Sequence, residues 1–269
     1  MEWFEAVILG LLQGLTEFLP VSSSGHLEIG KVLLGVETTD DLMFTTMVHA
    51  ATVLSTIVVF RKQIFGLLKG FFKFRYNDET DYLFKIAVSI IPVMIVGLFF
   101  KDHVEALFGS IKVVGFALLL TSALLFFSDL ASKPGKDVQK PESEARNGIS
   151  YWQAFVVGLA QALAVVPGLS RSGTTISTGL ICGVRRDVMA QFSFLMVLIP
   201  ILGESFLELV GGEFASSSVG ALPLLLGFVS AFVSGLFACK VMIALVKKAK
   251  LSWFAIYCLI AAAAIFIFA

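Results

Sequence analysis

A long apolar segment, interrupted by a proline and then by a run of hydroxyls, occurs twice in this chain at corresponding places of two halves. Residues 6–25 read AVILGLLQGLTEFLPVSSSG, and 148 positions later residues 154–173 read AFVVGLAQALAVVPGLSRSG. Ala6 and Ala154, Gly10 and Gly158, Leu11 and Leu159, Gln13 and Gln161, and Leu15 and Leu163 coincide. So do Ser22 and Ser170, Ser24 and Ser172, and Gly25 and Gly173, with Pro20 and Pro167 ahead of the two polar loops. Backbone that leaves the helix inside hydrocarbon is tolerated only where it is buried in protein or lines a wet cavity. Paired broken segments of this kind point to an intramembrane site at the interface of two repeats.

The setting is apolar throughout. Of 269 residues 57% are apolar and 15% charged, where soluble domains carry about 25% charged residues. The runs 86–100, 113–127, 221–239 and 251–269 each approach the length of a membrane span. The formal charge of zero says nothing about nucleic acid, but no basic block reads as a nucleic-acid-binding face. Cys182, Cys239 and Cys258 stand apart in apolar stretches, too dispersed for a disulfide framework or a zinc site, and read as small buried hydrophobes. The N-terminus lacks the basic start and small-residue cleavage site of a removed signal peptide.

The most polar interval, 131–150, has a linker's composition and falls between the two copies. It divides the chain into a first repeat (1–132), a cytoplasmic linker (133–150) and a second repeat (151–269). Weaker echoes follow at a shift of 138, as in Val96-Gly97-Leu98-Phe99 against Ser234-Gly235-Leu236-Phe237. Only thirteen apolar residues (154–166) precede Pro167, a length that suits a re-entrant segment better than a span. Segments 4–19 and 27–36 read the same way around the first serine loop. Sixteen of the twenty Lys and Arg fall in 61–85, 131–150, 185–186 and 240–250, which makes that side cytoplasmic. The first re-entrant pair then enters from outside and the second from inside. The expectation is an all-α integral membrane protein with an inverted-topology repeat. Six spans are expected near 43–60, 85–100, 113–130, 189–210, 221–239 and 251–269, with two re-entrant helix pairs meeting at the midplane. The alternative is eight ordinary spans, two of them kinked at proline.

Gln13 and Glu17 are four apart and share a helix face. A carboxylate at that depth is costly unless paired or wetted, which favours a functional role over a structural hydrogen-bonded pair. Gly10 and Gly14 form a small-xxx-small packing face. Ser22, Ser23, Ser24, Gly25 and His26 begin the next half-helix, and helix N-termini bind anions through free N–H groups and the dipole. Ser170, Arg171, Ser172, Gly173, Thr174 and Thr175 make a second such N-terminus, with a guanidinium suited to bidentate phosphate recognition. Arg171 needs an anion from elsewhere, either Glu17 in a structural ion pair or a ligand phosphate. His49, in the outer part of a span, reads as a core hydrogen-bonding residue and His103 as solvated. Glu204 and Glu208, four apart, read as interfacial.

The stretch from Gln13 to His26, QGLTEFLPVSSSGH, resembles the first signature of the undecaprenyl-diphosphate phosphatases, the bacitracin-resistance phosphatase family. Residues 167–173, PGLSRSG, resemble its second signature, and Phe192-Ser193-Phe194-Leu195 followed by Pro200 is similar to a third family stretch. The family commonly has Glu at the position of Gln13. The resemblance implies hydrolysis of undecaprenyl diphosphate to undecaprenyl phosphate and inorganic phosphate, recycling the bacterial cell-wall lipid carrier. It further implies a multi-pass protein of the cytoplasmic membrane among membrane lipids, a site open to the outer face, and a divalent cation, Mg²⁺ or Ca²⁺. It leaves room for a homodimer. By matching positions it implicates Glu17, Ser23, His26 and Arg171, supported by Gln13, Ser170, Ser172 and Thr174. Ser22, Ser24, Gly25 and Gly173 complete the two phosphate-binding loops.

On this reading Ser23 is the nucleophile and His26, three residues on, its general base. Glu17 and Gln13 hold the cation through hard oxygen donors, and Arg171 stabilises the transferring phosphoryl group. Direct attack by water, with Ser23 only binding phosphate, stays open. Inverted repeats with broken helices are also transporter architecture, so a polyprenyl-phosphate flippase is the rival, and a non-catalytic lipid-phosphate binder the third reading.

Overall fold

The computed structural model describes residues 1–36, 41–107, 110–132, 145–203 and 219–268. All regular structure among them is helical. In chain order the helices are α1 (Trp3–Phe18), α2 (Ser23–Leu34), α3 (Asp41–Phe71), α4 (Asp78–Phe99), the short α5 (Lys101–Glu105) and α6 (Ile111–Ala131). The second half supplies α7 (Tyr151–Leu163), α8 (Arg171–Ile181), α9 (Arg186–Met196), α10 (Ala221–Lys248) and α11 (Ser252–Phe268). Among the described residues four helices are long and apolar enough to cross a membrane: α4, α6, α10 and the segment Arg186–Gly203. The bent α3 would be a fifth, and Ser252–Ile267 in α11 is a shorter apolar helix. The chain is a multi-pass membrane protein.

Local sequence sets the helix ends. Glu2 with Glu5 and Ser150 with Gln153 form capping boxes at the starts of α1 and α7. Asn77 caps α4 by accepting from the Thr80 N–H at 2.8 Å. The interval 61–85 differs from a plain loop. Helix α3 continues to Phe71, but Arg61–Phe71 turns by 74° from Met43–Val59. The turn falls where the first basic residues, Arg61 and Lys62, replace the apolar run, so the continuation follows the polar boundary.

Helices α1 and α2 span about 24 and 18 Å at 1.5 Å per residue, and α7 and α8 about 20 and 17 Å, all short of a ~30 Å hydrocarbon core. Each pair folds back on itself. Gly30, late in α2, lies against Leu9 and Leu12 of α1. The Gln153 side chain at the start of α7 donates to the Cys182 carbonyl just past α8, at 3.0 Å.

The two halves exchange partners. Helix α1 packs on α10 of the second half, and α7 packs on α4 of the first. A Cβ at Gly10 would collide with the Gly227 carbonyl, and a Cβ at Gly158 with the Ser89 carbonyl. Gly10 and Gly158 are repeat mates at the 148 shift, and Ser89 and Gly227 are mates at the 138 shift. Gly14 likewise admits Ser234 of α10, so the small-xxx-small face packs as its spacing predicts. Hydroxyls hold the contacts between the halves: Ser230 of α10 donates to the Val7 carbonyl of α1 at 2.8 Å, Ser55 of α3 to Phe232 of α10 at 2.8 Å and Ser122 of α6 to Ala255 of α11 at 2.7 Å.

Cys239 and Cys258 are buried as expected, but Cys182 is only partly so, because it caps the exposed end of α8. Glu204, Glu208 and most of the 133–150 linker lie outside the described residues.

Candidate active site

Both prolyl breaks end in a helix start capped by its first serine. Ser22 accepts from the Gly25 N–H at 3.2 Å, and its repeat mate Ser170 accepts from the Gly173 N–H at 3.1 Å. Ser22 holds φ at +72°, a strained value for a serine, and the kind of backbone departure that clusters at functional sites. The two loops then clasp each other reciprocally. Ser24 accepts from the Gly168 N–H at 3.2 Å, and Ser172 donates to the Leu19 carbonyl at 3.1 Å. Four of the five loop serines are therefore engaged in caps and clasps, and Gly25 and Gly173 supply the capped N–H groups.

Ser23 is free of that duty. Its hydroxyl donates to Glu17 Oε2 at 2.6 Å. The Gln13 amide donates to the same oxygen at 2.9 Å, one helical turn back, as the i,i+4 spacing predicts. His49 brings Nε2 to 3.8 Å of that oxygen while its Nδ1 donates to the Thr45 carbonyl at 2.8 Å. His49 is thus a neighbour of the carboxylate as well as a core hydrogen-bonding residue.

The imidazole of His26 faces elsewhere. Its Nδ1 lies 2.7 Å from the Ser22 carbonyl, an atom that only accepts, so Nδ1 carries the proton. Nε2 lies 2.6 Å from the Tyr257 hydroxyl, and the two rings stack. The spacing of three residues does not bring His26 onto Ser23, because the helix starts at Ser23 and turns the histidine toward α11. Glu17 occupies the place beside the serine hydroxyl instead.

Arg171, at the start of α8, lines one small cavity with Glu17, Gln161, Ser172, Thr175 and Ser193. It forms no ion pair with Glu17 among the described residues, so the structural salt bridge weighed from sequence is not formed. Thr52 and Thr56 of α3 and the rings of Phe18 and Phe194 close the walls. Thr174 lies outside this lining, its buried hydroxyl without a partner among the described residues. Sequence reasoning passed over Gln161 and Tyr257 as site residues. Gln161 was signalled by its coincidence with Gln13 in the repeat, and Ser193 sits in the third stretch quoted above.

No group of three or more His, Cys, Asp or Glu side chains suited to a metal occurs among the described residues. Gln13 Oε1, however, is buried without a partner beside the Glu17 carboxylate. One carboxylate with an orphaned amide oxygen suits a hard cation that takes its remaining ligands from phosphate and water.

Comparison with known proteins agrees over nearly the full length. A family model described as "Bacitracin resistance protein BacA" matches residues 6–264. A relative from Bacteroides fragilis, named undecaprenyl-diphosphatase, is 55% identical over 264 residues, covering 97% of this chain and 96% of the relative. One of the same name from Bacteroides thetaiotaomicron is 54% identical over 271 residues, 99% of each chain. A further relative so named, from Methanosphaera stadtmanae, is 36% identical over 275 residues, 97% of this chain and 95% of that one. With its two signatures and its clasped serine loops, the chain belongs to the BacA bacitracin-resistance family.

Proposed function

We propose that this chain hydrolyses undecaprenyl diphosphate to undecaprenyl phosphate and inorganic phosphate, with Ser23 as nucleophile and Glu17 as its base. The observation that carries the reading is the 2.6 Å hydrogen bond from Ser23 to Glu17 at the mouth of a helix N-terminus, with Arg171 lining the same cavity. Ser23 Oγ attacks the terminal phosphorus and its proton passes to Glu17 Oε2. The phosphorus–oxygen bond to the bridging oxygen breaks, and undecaprenyl phosphate leaves. Water then cleaves the phosphoserine, releasing inorganic phosphate and restoring the hydroxyl. The N–H groups at the starts of α2 and α8, with the Arg171 fork, meet charge on the transferring group. His26, anchored between Ser22 and Tyr257, fixes the loop that aims Ser23. The relatives are named for hydrolysis, not transport.

Glu17 and Gln13 would hold a Mg²⁺ or Ca²⁺ ion through their oxygens. Such an ion, when bound, neutralises diphosphate charge and polarises the phosphoryl oxygens.

The same reading sets the protein in the bacterial cytoplasmic membrane as an inverted repeat of six spans and two re-entrant pairs, its site open outward. Three features support it: the short hairpins, the exchanged packing of α1 and α7, and the cytoplasmic bias of Lys and Arg. The decisive test is phosphate release from undecaprenyl diphosphate by purified protein in detergent, where flipping has no meaning. Wild-type protein that releases none overturns the hydrolase reading.

A further inference from the structure

The second repeat keeps the glutamine of the first but not its partner. In the first repeat the Gln13 amide donates to Glu17, four residues on. In the second, Gln161 is followed four residues on by Val165, which offers no acceptor. The Gln161 side chain is 2% exposed, and neither its Nε2 nor its Oε1 has a partner among the described residues. Gln153, buried in the same helix, is by contrast fully engaged with the α7 cap and the Cys182 carbonyl. Gln161 lines the cavity that holds Arg171 and Glu17. Beside it, Thr175 and Ser193 pair their hydroxyls at 2.7 Å.

A buried carboxamide without partners is a standing cost to the fold. It is explained if its partners arrive with a ligand. The two halves also divide their chemistry. The first contributes the carboxylate and the nucleophilic hydroxyl. The second, where Arg171 replaces Ser23 and Val165 replaces Glu17, contributes a guanidinium and an amide but no carboxylate of its own. A free amide beside a guanidinium, with no carboxylate one turn along its own helix to take its N–H groups, is suited to phosphate oxygens.

We propose that Gln161 is a substrate-binding residue, its carboxamide N–H groups donating to the diphosphate alongside Arg171. The inference rests on the diphosphate-hydrolase reading above, since it takes its ligand from that reaction. It makes α7 part of the substrate site rather than only a packing element, and it gives the cavity a neutral donor that holds diphosphate without adding charge.

The test measures binding of the non-hydrolysable farnesyl methylenediphosphonate to purified full-length protein, together with melting temperature in detergent. Gln161→Met keeps the length of the side chain and removes both donors. It should weaken the analogue roughly tenfold or more, as expected for loss of donors to a charged group. Its melting temperature without ligand should be unchanged or higher, because no protein partner is lost. Gln161→Glu should bind still more weakly, since its charge meets phosphate. Should Gln161→Met fail to fold, Gln161→Asn, which keeps the amide but withdraws it, decides by the same loss of affinity. Variants that bind the analogue as wild type does overturn the inference, whatever their melting temperatures, and leave the hydrolase reading standing. If wild-type protein binds the analogue but releases no phosphate from undecaprenyl diphosphate, the hydrolase reading falls, and the variants' affinities still decide the inference.

Discussion

Ser23 donates its hydroxyl hydrogen to Glu17 at 2.6 Å, across the prolyl break that separates α1 from α2. The serine lies at a helix start and the carboxylate at a helix end, so the break itself creates the pair. Glu17→Gln removes the proton acceptor and should lower kcat by roughly a hundredfold to ten-thousandfold, the range for loss of a positioned general base. Ser23→Ala should be near-inactive and still bind substrate. Steady-state phosphate release and binding of a non-hydrolysable diphosphate measure both. Substantial turnover by Ser23→Ala would make water the nucleophile.

The proposed cation would take Gln13 Oε1, buried beside Glu17 without a partner, as one of its ligands. Gln13→Glu supplies a second carboxylate there, and the Mg²⁺ or Ca²⁺ concentration for half-maximal rate should fall several-fold. Titration of the apoenzyme with each ion reads it directly. An unchanged metal requirement would remove Gln13 from the ligand set.

Arg171→Lys keeps the charge and loses the planar fork. The rate should drop by roughly tenfold or more, with a smaller change in KM, as when an interaction strengthened in the transition state is lost. Normal turnover by this variant would show that charge alone suffices.

The exchanged packing makes a stability prediction. A Cβ at Gly158 would strike the Ser89 carbonyl, and one at Gly10 the Gly227 carbonyl, whereas Gly97 has open space around it. Gly158→Ala and Gly10→Ala should each destabilise by about 1–3 kcal/mol, the usual cost of overpacking. Gly97→Ala should be neutral or slightly stabilising through helix propensity. Thermal unfolding in detergent compares the three, and equal melting temperatures would contradict the close helix approach.

Topology can be tested at described positions in a protein with Cys182, Cys239 and Cys258 replaced by serine. Lys248→Cys should react with an impermeant maleimide only from the cytoplasm, and His103→Cys only from outside. Labelling of both from one face would sink the inverted arrangement.

The repeat was legible because helix breaks inside hydrocarbon are rare and must be served by protein. The alignment of Ser22 with Ser170 therefore located both helix starts, and the Gln13–Glu17 pair followed from the 3.6-residue period. The i,i+3 spacing of Ser23 and His26 misled. Residue spacing fixes angles along one helix but not what stands opposite it, and Tyr257 of α11 was there to take the imidazole.

By itself, then, the sequence determined the membrane character, the two halves and the residues of the clasped loops, since these rest on hydropathy and local helix chemistry. Only the tertiary structure decided that Glu17 meets Ser23, that His49 and Gln161 join the site, and that α1 and α7 pack on the opposite halves. Those contacts join residues from separate helices, and their geometry depends on how closely glycine faces let the backbones approach.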